Sequence, residues 1–284
     1  MDYECKAESG LQLLARLSTR PELHGLEEKL FSDGLKLGDV VEISGDLGSG
    51  KTFLITQLLA KCLLPKMWNG IQIGGVGAGA IIVNTEHNFQ LLKLVNLMES
   101  SLLKTSFAPQ AGSSGETQNQ DLVDSQTIEK IIKQALSNLT ILNCYDRVQL
   151  LVTFHSLENI LASNSKISLI VLDSLSAYYW QDIPLGGIRK MDLYLKKTLK
   201  TLQSCIKEHK TVIIFSKQTH FQSKINFASE SGSKQSLGCI TFRVTLNKME
   251  MRDSKDLFFV EVCTINSKQV VQYKITTEGL EWIS

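Results

Sequence analysis

The order of apolar and polar residues along the chain predicts strands and helices that alternate. Short runs rich in apolar residues predict buried strands at residues 40–44, 80–83, 139–143, 167–172 and 212–215. Apolar residues recur at helical spacing between these runs, over residues 53–64, 89–103, 128–136, 148–161 and 190–207. Alternation of this kind implies parallel strands that are joined by right-handed crossovers through helices.

The pattern changes in the last part of the chain. Residues 239–246, 257–265 and 270–275 alternate apolar with polar side chains, as antiparallel strands with one solvated face do. We therefore predict an α/β fold with a mostly parallel central sheet, helices on both faces and an antiparallel C-terminal extension.

Stretches without regular spacing of apolar residues divide the chain into a lead-in and one core. Residues 1–38 are too few for a separate domain, although residues 11–17 have the spacing of a small amphipathic helix. Residues 39–284 form the predicted core. Within it, the polar residues 104–126 predict a disordered insertion, and the Ser- and Lys-rich residues 221–236 predict a mobile loop. Residues 70–79 are glycine-rich and predict a flexible loop or hairpin.

Composition restricts the class of protein. The chain has 284 residues, 43% of them hydrophobic, and a formal net charge of +1. A free-standing DNA-binding protein usually has a clear basic surplus, so any nucleic-acid surface here is expected to be local or completed by a partner. The N-terminal residues lack an apolar signal core, no apolar run is long enough for a bilayer, and no CxxC pair suggests zinc. We expect a protein of the cytosol or nucleus.

One glycine-rich segment predicts phosphate binding. Its residues match G-x-x-x-x-G-K-[ST] and are Gly45, Asp46, Leu47, Gly48, Ser49, Gly50, Lys51 and Thr52. Glycines let backbone N–H groups converge on phosphate oxygens, at the positive end of the helix that follows. Lys51 is expected to reach the β- and γ-phosphates of ATP, and the Thr52 hydroxyl to ligate Mg²⁺. The alternative is a chance glycine turn, which the strand before it and the helix after it disfavour.

Three polar residues follow predicted strands and are candidates for the same site. Asp173 ends the apolar run 167–172, where it either holds a Mg²⁺-bound water or caps the next helix. Glu86 follows the strand at 80–83 and is either the residue that activates the attacking water or an exposed loop glutamate. Gln218 follows the strand at 212–215, and its amide either senses the γ-phosphate or lies on the surface.

Basic residues suggest a second kind of contact. A basic stretch contains Arg189, Lys190, Lys196, Lys197 and Lys200, and Lys224 and Lys234 lie in the Ser-rich segment. Arg189, Lys190, Lys224 and Lys234 are candidates for contacts to DNA phosphates. The alternative, a solvated helix face, fits the pattern at least as well.

The motifs in this order, GDLGSGKT, IIVNTEH, LIVLDSLSAYYW and IIFSKQTH, resemble the RecA-type recombinase core, and most nearly the eukaryotic recombinase paralogues. The resemblance covers residues 7–218 apart from the insertions. It implies a RecA-like P-loop NTPase with Glu86 and Lys51 as catalytic residues, Gln218 as the nucleotide-sensing amide, and DNA-facing loops at residues 179–188 and 221–235. It also implies a nuclear role in homologous-recombination repair of DNA, within a paralogue complex in which the chain binds the D-type paralogue.

Departures from the family pattern narrow the expected activity. Asn84, Phe53 and Lys217 stand where the family usually has aspartate, glutamine and asparagine, and the lead-in has no helix-hairpin-helix domain. We expect an ATP- and Mg²⁺-binding subunit with slow or partner-dependent hydrolysis. The alternatives are a non-catalytic interaction subunit with a vestigial nucleotide site, and a P-loop kinase. The second is disfavoured because no arginines cluster as a kinase lid requires.

Overall fold

The computed structural model describes residues 17–106, 125–185, 187–218, 239–248 and 257–283, together with Gly10 and Leu13. Most of the predicted N-terminal helix, residues 107–124 of the predicted insertion, and the predicted loop at 221–236 lie outside these residues. The two ends of the predicted insertion are helical. One helix ends at Ser106 and the next begins at Ser125, so residues 104–106 and 125–126 are ordered rather than disordered.

The described strands form one nine-stranded sheet and one small hairpin. The large sheet contains β1 (Val40–Gly45), β4 (Gly79–Asn84), β5 (Leu139–Asn143), β6 (Ile167–Asp173), β7 (Val212–Ser216), β8 (Phe242–Lys248), β9 (Leu257–Cys263), β10 (Lys268–Thr276) and β11 (Gly279–Ile283). Their order is β11-β10-β9-β8-β1-β7-β6-β4-β5. The six strands from β8 to β5 run parallel, and β8 to β11 pair antiparallel. The hairpin joins β2 (Met67–Trp68) to β3 (Ile71–Gln72).

Helices cover both faces of the sheet. The helices are α1 (Lys51–Leu63), α2 (Leu91–Ser106), α3 (Ser125–Leu136), α4 (Arg147–Ser163), α5 (Tyr179–Asp182) and α6 (Met191–Cys205). Helices α1, α2 and α3 pack on the face that carries Ile43 and Ile82. Helices α4 and α6 pack on the opposite face, against Ile81 and Ile170. The α/β fold with an antiparallel C-terminal extension is therefore confirmed.

Residues 18–38 pack as part of the core. Leu23, Leu30 and Phe31 are buried in the cluster under α1, although these positions show no helical or strand period. Arg20 is also buried, and its guanidinium donates to the carbonyl of Leu161 at 2.7 Å and contacts His209 Nδ1 at 3.0 Å. Burial lowers the pKa of both Arg20 and His209.

The structure adds strands that the pattern did not predict, which are β11 and the two-residue β2, and it places β8 parallel to β1 rather than wholly within the antiparallel edge. In the described part of the chain, no helix has both the length and the apolar character to cross a bilayer.

Candidate nucleotide-binding site

The loop of residues 45–52, called here the phosphate loop, joins β1 to the first turn of α1. Gly50 precedes α1 with φ 94° and no side chain caps the helix there, so this turn has the conformation that glycine favours. A Cβ at Gly45 would overlap the carbonyl oxygen of Leu246 in β8. The glycines thus allow a tight turn at the N-terminus of a helix buried along one side, which is a geometry that suits anions.

The C-terminal strands hold this loop from the outside. The hydroxyl of Tyr273, a fully buried residue in β10, donates to the carbonyl of Ser49 at 2.7 Å. The amide N–H of Leu280 in β11 donates to Gln57 of α1 at 2.7 Å. Because β10 and β11 contact both the loop and its helix, the conformation of the phosphate loop depends on residues far along the chain.

Lys51 and Thr52 are the first two residues of α1. The Lys51 ammonium donates to the carbonyls of Gly45 and Asp46, at 2.8 and 2.9 Å, and so folds back over the loop. The Thr52 hydroxyl donates to Asp173 Oδ2 at 2.8 Å. Thr52 and Asp173 therefore lie together at the carboxyl ends of β1 and β6, where a Mg²⁺ ion bound to a nucleotide is commonly held.

Asp173 is nearly inaccessible, with 3% of its surface exposed. Burial raises the pKa of its carboxyl, while hydrogen bonds from Ser216 and Thr52 act in the opposite direction. Burial lowers the pKa of Lys51, and the carboxylates of Glu86, Asp173 and Asp46 oppose that shift. A divalent cation beside Asp173 would favour its ionised form, so the donor set fits Mg²⁺.

Glu86 and Gln218 meet beside the phosphate loop. The Gln218 side-chain amide donates to Glu86 Oε1 at 2.7 Å, and the Ser174 hydroxyl donates to the same oxygen. The backbone N–H of Gln218 donates to Ser176 Oγ at 3.0 Å. The structure thus brings together Lys51, Thr52, Glu86, Asp173 and Gln218, which are distant in sequence.

Several contributors to this site were not predicted. Ser174 and Ser216 bind Glu86 and Asp173, and Tyr273 and Gln57 support the loop. A serine directly after Asp173 and another at the end of the strand 212–215 are signals in the sequence. Nothing local in the sequence identifies the other two.

Two of the four predicted DNA-contact residues lie in the described part of the chain. Arg189 and Lys190 are exposed just before α6, and Lys224 and Lys234 lie outside the described residues. A groove of about 520 Å³ between α4 and α6 is lined by eight residues, which are His155, Leu193, Lys196, Lys197, Lys200, Thr201, Ser204 and Cys205. Of the basic stretch, Lys196, Lys197 and Lys200 line this groove, and its lining contains no phosphate-loop residue.

Comparison with known proteins gives relatives that are DNA repair proteins. DNA repair protein XRCC2 of Mus musculus is 32% identical over 234 residues, which are 81% of this chain and 74% of that protein. The XRCC2 homolog of Arabidopsis thaliana is 26% identical over 71% of this chain and 60% of its own length. DNA repair protein RAD51 homolog 3 of Cricetulus griseus is 24% identical over 67% of this chain and 49% of its own length.

A crystal structure of the RadB recombinase has the same fold, with a TM-score of 0.60 at 20% identity, covering 90% of this chain and 96% of the RadB chain. No protein-family model matches the chain.

Proposed function

The chain belongs to the XRCC2 family of RecA-type recombinase paralogues, and on that premise we propose that it is an ATP- and Mg²⁺-binding subunit of a nuclear complex for homologous-recombination repair of DNA. The observation that carries the nucleotide part is the contact between Thr52 and Asp173 beside the phosphate loop. This contact joins the two residues that would bind the metal, directly or through water, at the N-terminus of α1.

The proposed roles of the site residues follow from where they lie. The phosphate loop N–H groups bind the phosphates, and Lys51 exchanges its two carbonyl partners for phosphate oxygens. Thr52 and Asp173 would hold Mg²⁺, which would neutralise charge on the phosphates. Glu86 orients the attacking water, which lies next to the γ-phosphate. The Gln218 amide lies 2.7 Å from Glu86 and is therefore close enough to detect the γ-phosphate.

Slow hydrolysis is supported by the state of Glu86. Its Oε1 atom already accepts hydrogen bonds from Gln218 and Ser174, so it is engaged before any water arrives. Asn84, which stands in place of the family's aspartate, donates to Asn143 at 3.0 Å and adds no charge to the site. We propose that a partner subunit completes the site and releases Glu86.

The partner and the DNA surface are further parts of the proposal. Membership in a family of recombinase paralogues supports a paralogue as partner, and we propose the D-type paralogue. We propose that DNA is bound by the complex, with Arg189 and Lys190 as contacts in the described part of the chain and Lys224 and Lys234 outside it. The net charge of +1 favours binding in a complex over binding by this chain alone.

A second candidate function is a non-catalytic interaction subunit. The observation that favours it is that the Lys51 ammonium donates to the Gly45 and Asp46 carbonyls, so the loop itself supplies hydrogen-bond acceptors for it. In that case the phosphate loop would serve only as structure.

Substitution of Lys51 tests both candidates. Lys51→Ala removes a charge-assisted contact to phosphate, for which we expect a loss of ~2 kcal/mol and about a 30-fold weaker ATP affinity. Lys61→Ala, at the other end of the same helix, is the matched control. Calorimetric titration with ATPγS and Mg²⁺ measures both, in the purified complex with the D-type paralogue.

Three outcomes separate the candidates. Wild-type binding that is lost in Lys51→Ala and kept in Lys61→Ala supports the nucleotide-binding subunit. Complex formation and repair that persist in Lys51→Ala cells favour the interaction subunit. Equal ATPγS affinity in wild type and Lys51→Ala contradicts the proposed site.

A further inference from the structure

A buried carboxylate lies in the strand that leads to the phosphate loop. Glu42, in the middle of β1, is only 3% exposed, and its backbone lies in register with Phe215 of β7 and Arg243 of β8. Glu42 Oε1 is 3.0 Å from the Lys217 ammonium and 3.9 Å from Arg243 Nε. Among the described residues, the other oxygen, Oε2, has no hydrogen-bond partner.

Stability alone is a poor explanation for this arrangement. Removing a carboxylate from water costs several kcal/mol, and a buried ion pair often stabilises a fold no better than apolar residues of similar size. Here the carboxylate is not fully satisfied, because Oε2 lacks a partner among the described residues. Val40, two residues earlier and on the same face of β1, is buried among apolar side chains, so this face of the strand accommodates them. The charge of Glu42 therefore calls for a role other than packing.

The contacts of Lys217 suggest what that role is. The Lys217 backbone N–H donates to the Ile43 carbonyl at 2.9 Å, so both its main chain and its side chain are tied to β1. The next residue is Gln218, whose side chain donates to Glu86 at 2.7 Å. A continuous set of contacts thus joins Glu42, through Lys217 and Gln218, to Glu86.

We propose that Glu42 is a positioning residue: through Lys217 it holds Gln218 where the amide responds to the γ-phosphate. This inference rests on the proposed nucleotide site and adds to it the means by which ATP is distinguished from ADP. The Lys217 side chain is 22% exposed, so without Glu42 its ammonium turns toward water, and Gln218 is held only by the backbone contacts of Lys217 to Ile43 and of Gln218 to Ser176. The phosphate loop itself is held by contacts that do not involve Glu42, from Tyr273 to Ser49 and from Lys51 to Gly45 and Asp46.

The test compares affinities for two nucleotides. The dissociation constants of ATPγS and ADP with Mg²⁺ are measured by calorimetry on the complex with the D-type paralogue. We expect Glu42→Gln to leave the ADP affinity within about twofold and to reduce the preference for ATPγS by about fivefold, since hydrogen bonds contribute ~1 kcal/mol. Gln218→Ala should give the same loss, and the double variant no further loss, because both act on one contact.

Controls separate positioning from a structural role. Glu261→Gln breaks another ion pair of the same sheet, to Lys268 in the antiparallel half, and should keep the preference for ATPγS. Glu42→Asp keeps a carboxylate within reach of the long Lys217 side chain and should restore part of the preference. If Glu42→Gln does not fold, Lys217→Met breaks the same pair from its exposed side and should show the same loss.

The outcomes are distinguishable from those for the proposed function. A wild-type complex that binds neither nucleotide contradicts the proposed function. A wild-type complex that binds both nucleotides equally overturns the role of Glu42 together with γ-phosphate detection by Gln218, but not nucleotide binding itself. A Glu42→Gln variant that melts at a lower temperature but keeps its preference for ATPγS overturns only the role of Glu42.

Discussion

The hydroxyl of Tyr273 gives the sharpest prediction about the phosphate loop. It donates to the Ser49 carbonyl at 2.7 Å, and Tyr273 itself is fully buried. In a trans peptide the carbonyl and the next N–H point in opposite directions. Because Tyr273 draws the Ser49 carbonyl toward β10, the Gly50 N–H points away from the C-terminal strands. Tyr273→Phe removes this constraint and leaves the ring in place.

The size of the effect follows from the buried carbonyl. A buried acceptor without its partner costs about 1–3 kcal/mol. For a chain of this size, that corresponds to a melting temperature lower by about 2–4 °C per kcal/mol. If about 1 kcal/mol of the cost appears in the orientation of the Gly50 N–H, the dissociation constant for ATP rises by about fivefold.

Two measurements and one control test this prediction. Thermal unfolding gives the stability change, and titration with a fluorescent ATP analogue gives the affinity change. Tyr178→Phe is the matched control, because its buried hydroxyl donates to the Cys144 carbonyl at 2.6 Å on the opposite face of the sheet. We expect both variants to lose stability and only Tyr273→Phe to lose affinity. Equal affinity in wild type and Tyr273→Phe would refute the link between β10 and the phosphate loop.

Two further predictions concern charge. Asp173→Asn removes the carboxylate beside Thr52, so we expect the Mg²⁺ dependence of ATPγS affinity to fall by about 10-fold or more, as titrations with and without Mg²⁺ would reveal; an unchanged dependence contradicts the metal role. The second prediction concerns His209, whose pKa burial lowers below its usual value of about 6.5, and whose Nδ1 faces Arg20. Below that pH the unfolded chain binds more protons, so the contribution of His209 to stability is full above about pH 6.5 and is lost as the pH falls. His209→Asn keeps an acceptor for Arg20 but does not titrate, and urea unfolding between pH 7.5 and pH 5.5 should depend less steeply on pH; an equal slope contradicts the reasoning.

The local pattern of apolar residues in the sequence predicted most of the helices and strands. The helix predicted at residues 190–207 is α6 (Met191–Cys205), and the strand predicted at 139–143 is β5. The buried residues of the lead-in were not predicted, because Leu23 forms an isolated bridge with Leu35 and Phe31 lies outside any regular element, so no period reveals a buried face. Periodicity reports regular elements only, so core residues in irregular segments escape it.

The candidate site was also predicted in part, from its local motif and from the ends of its strands. The phosphate loop is a local motif, and the rule that strand ends meet at one edge explains why Asp173 and Glu86 were placed beside it. Tyr273 lies 224 residues from Ser49 in sequence, and no pairing rule connects them. In the sequence, Glu42 is a polar residue in an ordinary strand. Its contacts with Lys217 and Arg243 form only because β7 and β8 lie on either side of β1. The roles of these residues in binding and hydrolysis stay predictions.

The support that β10 and β11 give to the phosphate loop also bears on how the chain is made. Chains are synthesised from the N-terminus at about 5–20 residues per second, and early segments begin to fold first. The phosphate loop leaves the ribosome before Tyr273 and Leu280, which follow more than 200 residues later in the sequence. A nascent chain therefore has a complete motif well before it has a rigid loop. The capacity to hold a nucleotide is expected to arise late in synthesis, when these strands close the sheet.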